Sequence, residues 1–224
     1  MIRIARKLAG IGCGLLMLVS LTGCTSMMYN TGTTIEKMDL NRDELSEMNL
    51  DDFYSDETGF SFHGVKWGST VEETEEALGY SLGSSTPLNS GTVFTYHPEE
   101  AAALILGRLC SSVELVYDYE GTLYSVTYQY MAGDDMDSEG LDAFAAELVE
   151  EFDRLYGENA ANETLTELNT GTMTSVIYKW EEEIEGEQIS SLQVAVSSMS
   201  DQTDMVIVGV ICYDKSALEE EASE

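Results

Sequence analysis

The chain has 224 residues, with 42 Asp and Glu against 10 Lys and Arg, for a formal net charge of −32 at pH 7. Such an acidic surface repels nucleic acid, anionic headgroups and other polyanions, which argues against binding driven by phosphate contacts and leaves cationic partners or divalent ions as the permitted company. Simple solubility next to a bilayer accounts for the same charge.

Residues 1–23 read as a cleaved export signal. Arg3, Arg6 and Lys7 precede an apolar run from Leu8 to Leu21. That run is shorter than the roughly 20 apolar residues a spanning helix needs, and it is interrupted by Gly10, Gly12, Gly14 and Ser20. It ends in Leu21, Thr22, Gly23, Cys24, a stretch that resembles a bacterial lipoprotein box. In that family the matching cysteine carries a thioether-linked diacylglycerol and becomes the new N-terminus, so the resemblance implies lipidation at Cys24. Two acyl chains anchor stably where one binds only marginally. The expected location is extracytoplasmic, on the outer leaflet of the cell membrane or on the outer membrane of a diderm host.

Residues 24–58 are expected to form a flexible acidic tether, polar around Asn30–Thr34 and acidic from Asp39 to Glu57, because few aromatics and many charges offer little burial against chain entropy. From residue 59 the sequence turns globular. Phe60, Phe62, Val65 and Trp67 lead to a helix opened by Ser69 or Thr70, with Glu72 and Glu73 in its first turn and a stop at Leu78, Gly79. Strands follow at Gly91–Tyr96, Ser111–Tyr117 and Leu123–Tyr130, the last two joined at Tyr119, Glu120, Gly121. A second helix, capped by Asp137 or Ser138, carries the stripe Leu141, Phe144, Ala145, Leu148, Phe152, Leu155 and stops at Tyr156, Gly157. Strands are then expected at Gly171–Tyr178, Ser190–Val196 and Met205–Tyr213, with a hairpin at Glu185, Gly186, Glu187. The run Val206–Ile211 is apolar on both faces and reads as a central strand.

The expected fold is therefore α+β: two pseudo-repeated helix-strand-strand-strand units, about 59–131 and 132–215, forming antiparallel sheet with helices on one face of a single domain, 59–215, followed by an acidic tail, 216–224. The opening Phe62–Thr70 with Glu72, Glu73, Leu78 and Gly79, the hairpin Tyr117–Val126, and the closing Leu155, Tyr156, Gly157 resemble landmarks of small bacterial envelope modules. These are the β-lactamase-inhibitor-protein-like and SmpA/OmlA-type (BamE-like) lipoproteins. That resemblance implies a non-enzymatic protein that works by binding other proteins at the envelope.

Other chemistry is thin. Cys110 and Cys212 remain once Cys13 leaves and Cys24 is lipidated; a disulfide is permitted outside the cytoplasm, but two cysteines without a spacing pattern do not establish one. His63 and His97 have no ligand-spaced partner. Asp135, Asp137 and Glu139 imitate the start of a calcium loop, yet the twelfth position is Ala146, and an acidic helix N-terminus accounts for them. Glu181–Glu183 and Glu219–Glu221 read as solvated charge runs. Trp67, Trp180 and the tyrosines Tyr124, Tyr128 and Tyr130 offer either a recognition surface or core packing. No catalytic, cofactor or metal residues are assigned and no enzyme is expected. The expected function is a lipid-anchored protein-interaction or assembly module; the alternative is an extracytoplasmic binding domain for a cationic or calcium-bridged ligand.

Overall fold

The computed structural model describes residues 45–88, 93–133, 136–168, 171–184, 188–199 and 202–215. The expected signal, lipidation site and acidic tail, and most of the expected tether, lie outside them. The described chain runs through a 3-10 turn (Leu50–Phe53), β1 (Tyr54–Ser55), β2 (Gly59–Phe60), α1 (Val71–Leu78), β3 (Ser85–Leu88) and β4 (Val93–Tyr96). A small hairpin of β5 (Leu104–Ile105) and β6 (Arg108–Leu109) precedes β7 (Ser112–Tyr117), β8 (Leu123–Met131) and α2 (Ser138–Tyr156). Four long strands close it: β9 (Ala160–Leu168), β10 (Gly171–Ile184), β11 (Gln188–Met199) and β12 (Gln202–Asp214).

Eight of these strands form one antiparallel sheet in the order β3-β4-β7-β8-β12-β11-β10-β9. This overturns the expected α+β arrangement of two helix-strand-strand-strand units. The protein is mostly β, with two α-helices among its described residues and a single sheet carried by strands of up to 14 residues. The reason lies partly at the sheet edges. β3 contains Ser85, Thr86 and Pro87, and β9 reads Ala-Ala-Asn-Glu-Thr-Leu-Thr-Glu-Leu. Both lack the β-branched and aromatic alternation that marks a half-buried strand, because an edge strand has one neighbour rather than two. The helical contribution is also small: in α1 only Thr74 is buried.

Each helix is closed by local chemistry. Thr70 and Glu73 form a reciprocal capping box on α1, and Gly79 ends it in the left-handed region at φ 78°. Asp137 caps α2 by accepting from the Gly140 N–H at 2.8 Å. The α2 stripe is buried at Leu141, Phe144, Ala145, Leu148 and Phe152 and packs on β11 and β12. On that side of the sheet lie Val113, Leu115, Tyr128, Tyr130, Val194, Val206 and Val208, in one core with the helix.

Residues 45–58 join that core instead of forming tether. Phe53 is 1% exposed, its ring 5.7 Å from Phe152 and 6.4 Å from Tyr128 in edge-on contacts. Met48 N–H donates to the Leu104 carbonyl at 2.7 Å and Leu104 N–H to Ser46 at 3.0 Å, and both oxygens of Glu47 accept from the Gly107 N–H in the β5–β6 turn. Leu45, Met48, Leu50 and Phe53 are enough to dock a segment whose overall composition is acidic. At Gly59 a β-carbon would stand 2.3 Å from Ser190 Oγ, so only glycine lets β2 approach β11; the Phe60 N–H donates to the same hydroxyl at 3.0 Å.

Candidate functional site

A strand's side chains alternate between faces, so the residues between the core positions of β7, β8, β10, β11 and β12 share the face opposite α2. Register defines a polar row across it: Glu114 on β7 pairs with Thr127, Thr127 with Gly209, Gly209 with Gln193, and Gln193 with Lys179. The neighbouring row runs Ser112, Gln129, Ile207, Ala195, Ile177. Glu114 is buried at 9% exposure and Gln129 at 1%. Burial pushes the Glu114 carboxyl above the usual carboxylate range, and the nearby His97 charge and a hydrogen bond with Gln129 oppose that rise. His97 Nδ1 donates to the Val113 carbonyl at 3.2 Å, which holds the ring beside β7. Further along, Gln193 Nε2 donates to Ser191 Oγ at 3.2 Å and the Ser175 and Ser197 hydroxyls bond each other at 3.0 Å.

Two apolar clusters share this face. One is Met173, Ile177, Ala195, Met205 and Ile207; the other is Ile211 and Tyr213, with Tyr124 and Ile189 packed against them. Every member is a strand residue, whereas the core on the other face includes α2 and the segment from Leu45. The Tyr124 position results from a register shift: Val116 pairs with Ser125 but Tyr117 with Leu123, so Tyr124 is the extra residue and its side chain crosses to the second face. Tyr128 and Tyr130 stay in the core at 1% exposure with Val126, so the three tyrosines do not form a common surface.

Both tryptophans have structural partners. Trp67 Nε1 donates to the Phe60 carbonyl at 2.8 Å, and Trp180 Nε1 to the Gly157 carbonyl at 2.9 Å and to Asp153 Oδ1 at 3.2 Å, fastening the end of α2 to β10. The run Glu181–Glu183, expected as solvated charge, is tied side chain by side chain: Glu181 accepts from Tyr213, Glu182 from Tyr54 at 3.2 Å, and Glu183 from Lys215 at 2.7 Å. Of the calcium-loop imitation, Asp137 serves as helix cap and Asp135 lies outside the described residues, as do Glu219–Glu221. No group of three or more metal-ligating side chains occurs among the described residues. His63 occupies a turn at φ 49°, its ring 4.5 Å from that of Phe62.

Cys110 and Cys212 are buried free thiols. The Ser111 N–H donates to the Gln129 carbonyl, which places Cys110 near the Met131–Met205 end of the β8–β12 seam, while Cys212 lies beyond Ile211 at its other end. Seven residues of strand from Met205 to Cys212 span about 23 Å, far outside disulfide reach. Burial raises the Cys110 thiol to about 11. Cys24, the assigned lipidation residue, lies outside the described residues.

Glu114 and the row around it were the part of the site hardest to find by reading. Ser112, Glu114 and Val116 alternate with Val113, Leu115 and Tyr117 in a pattern that signals a solvated outer face, whereas all six are buried. The available signal was β12, whose apolarity on both faces implies a sheet with two buried sides. Comparison with family models, curated proteins and solved structures found no match.

Proposed function

We propose that this protein is a lipid-anchored lipoprotein of the bacterial envelope, attached through Cys24, whose β domain acts as a non-enzymatic protein-interaction or assembly module. The observation that carries the reading is an eight-strand sheet whose two outer strands, β3 and β9, each have one partner among the described residues. Apolar clusters occupy both faces, and the helical packing among the described residues belongs to one of them. Both faces are buried within this chain, which leaves the outer strands and the exposed hairpin tips as the surface a partner protein would meet. The Arg3–Cys24 pattern supports the anchor, and no helix among the described residues is long and apolar enough to cross a membrane. The resemblance to envelope modules points the same way.

Two experiments test the proposal. Cys24→Ser protein should leave the detergent phase in a partition assay while its domain still folds; retention in that phase would refute the anchor. Reversible cross-linking in intact cells, followed by purification of the full-length protein, should recover the same partner proteins in independent preparations. Recovery of none would refute the assembly role.

A further inference from the structure

The sheet ends in two edges that differ in character. β3 has four residues and contains Pro87, which lacks an N–H and blunts that edge. β9 has nine residues, and its register with β10 is unbroken from Ala160 opposite Lys179 to Leu168 opposite Gly171. Its outer side pairs with no strand among the described residues. In an antiparallel strand alternate residues direct their N–H and C=O groups away from the partner, so β9 presents a row of donors and acceptors for another strand. Natural edges are commonly protected by short length, proline, lysine or a bulge, and β9 has none of these. Ala160–Glu163 are exposed.

Charge selects the occupant. β9 contains Glu163 and Glu167 and no cation, on a chain of net charge −32. Pairing β9 with β9 of a second copy would set the exposed Glu163 of two strongly anionic molecules along one seam, so self-pairing is disfavoured. We propose that the β9 edge accepts an extended, lysine- or arginine-bearing segment of a partner protein as a ninth strand. Backbone hydrogen bonds along β9 supply affinity, and a cation set against the exposed Glu163 supplies selectivity. This inference rests on the interaction role proposed above and names its surface and partner chemistry.

The test uses the full-length, lipidated protein in intact cells, with the photo-cross-linker p-benzoylphenylalanine placed in separate variants at Asn162 on β9, Ser85 on β3, and Tyr119, which is 47% exposed in the β7–β8 hairpin. The Asn162 position should give an adduct whose cross-linked peptide carries Lys or Arg, and Ser85 should give none. Adding Glu163→Lys should lower the Asn162 adduct yield roughly fivefold with an unchanged melting temperature, since it replaces attraction by repulsion at an exposed position. An equal adduct at Ser85, an adduct to a second copy of this chain, a cross-linked peptide without cations, or a yield unaffected by Glu163→Lys would each overturn the proposal. A reproducible partner at Tyr119 with nothing at Asn162 would refute the edge alone. No partner at either position would refute the interaction role as well.

Discussion

Replacing Phe53 by alanine tests whether the chain before residue 59 belongs to the folded domain. The Phe53 ring is 1% exposed and sits edge-on to Phe152 and Tyr128 at 5.7 and 6.4 Å. Losing its transfer free energy costs about 2 kcal/mol, the two aromatic contacts add about 0.5–1.5 kcal/mol each, and the cavity left beside α2 brings the total to about 3–5 kcal/mol. For a domain of this size that lowers the melting temperature by about 10 °C. Urea unfolding followed by far-UV circular dichroism measures it as a lower midpoint with an unchanged slope, against Tyr119→Ala as an exposed control expected to shift stability by no more than about 0.5 kcal/mol. A Phe53→Ala loss below about 1 kcal/mol would refute the docking of residues 45–58. A chain starting at residue 59 should fare worse than Phe53→Ala, since it also loses Met48, Leu50 and the Glu47–Gly107 contacts.

Glu114→Gln should stabilise the protein at neutral pH: the folded state holds the Glu114 proton more tightly than the unfolded state does, so wild-type stability falls as pH rises from the ordinary carboxylate value through the raised one, and the amide removes that slope. Unfolding midpoints across that range check it, and identical slopes in the two proteins would contradict it. Trp180→Phe leaves the Gly157 carbonyl without its indole partner and should cost about 1–3 kcal/mol in the same urea assay. Thr70→Ala removes the α1 capping box and should cost about 1 kcal/mol, with Thr70→Ser restoring most of it. Iodoacetamide at pH 8 should leave Cys110 and Cys212 unmodified in the native protein and alkylate both in urea without prior reduction; a requirement for reductant would reveal a disulfide.

Where burial follows a strict period, the sequence was readable. The Leu141–Phe152 stripe, the caps at Asp137 and Thr70, the Gly79 stop and the alternation of Val113, Leu115 and Tyr117 all follow from local chemistry. β3 and β9 were not, because a polar edge strand is specified by its neighbour rather than by its own side chains. Residues 45–58 were misread because average composition hides four well-spaced apolar anchors. Period-two spacing alone would set Tyr124 beside Tyr128 and Tyr130, but one extra residue at the register shift reverses the pattern there. Glu114 looked solvent-facing because alternation reports which residues share a face, and not what covers it.

The β8–β12 seam, which pairs Met131 with Met205 and Ser125 with Ile211, has a consequence for how the chain folds. It joins the last strand of the first half to the last strand of the second, so the centre of the sheet is its most distant pairing in sequence. Loop closure must be completed before that seam rewards it, which makes folding slow compared with a helical domain of equal length. A nascent chain therefore holds two unfinished half-sheets until β12 has been made. Loss of β12 should then arrest folding at an open intermediate in which β8 is paired on its β7 side alone, whereas loss of β3 would trim an edge and leave the seam intact.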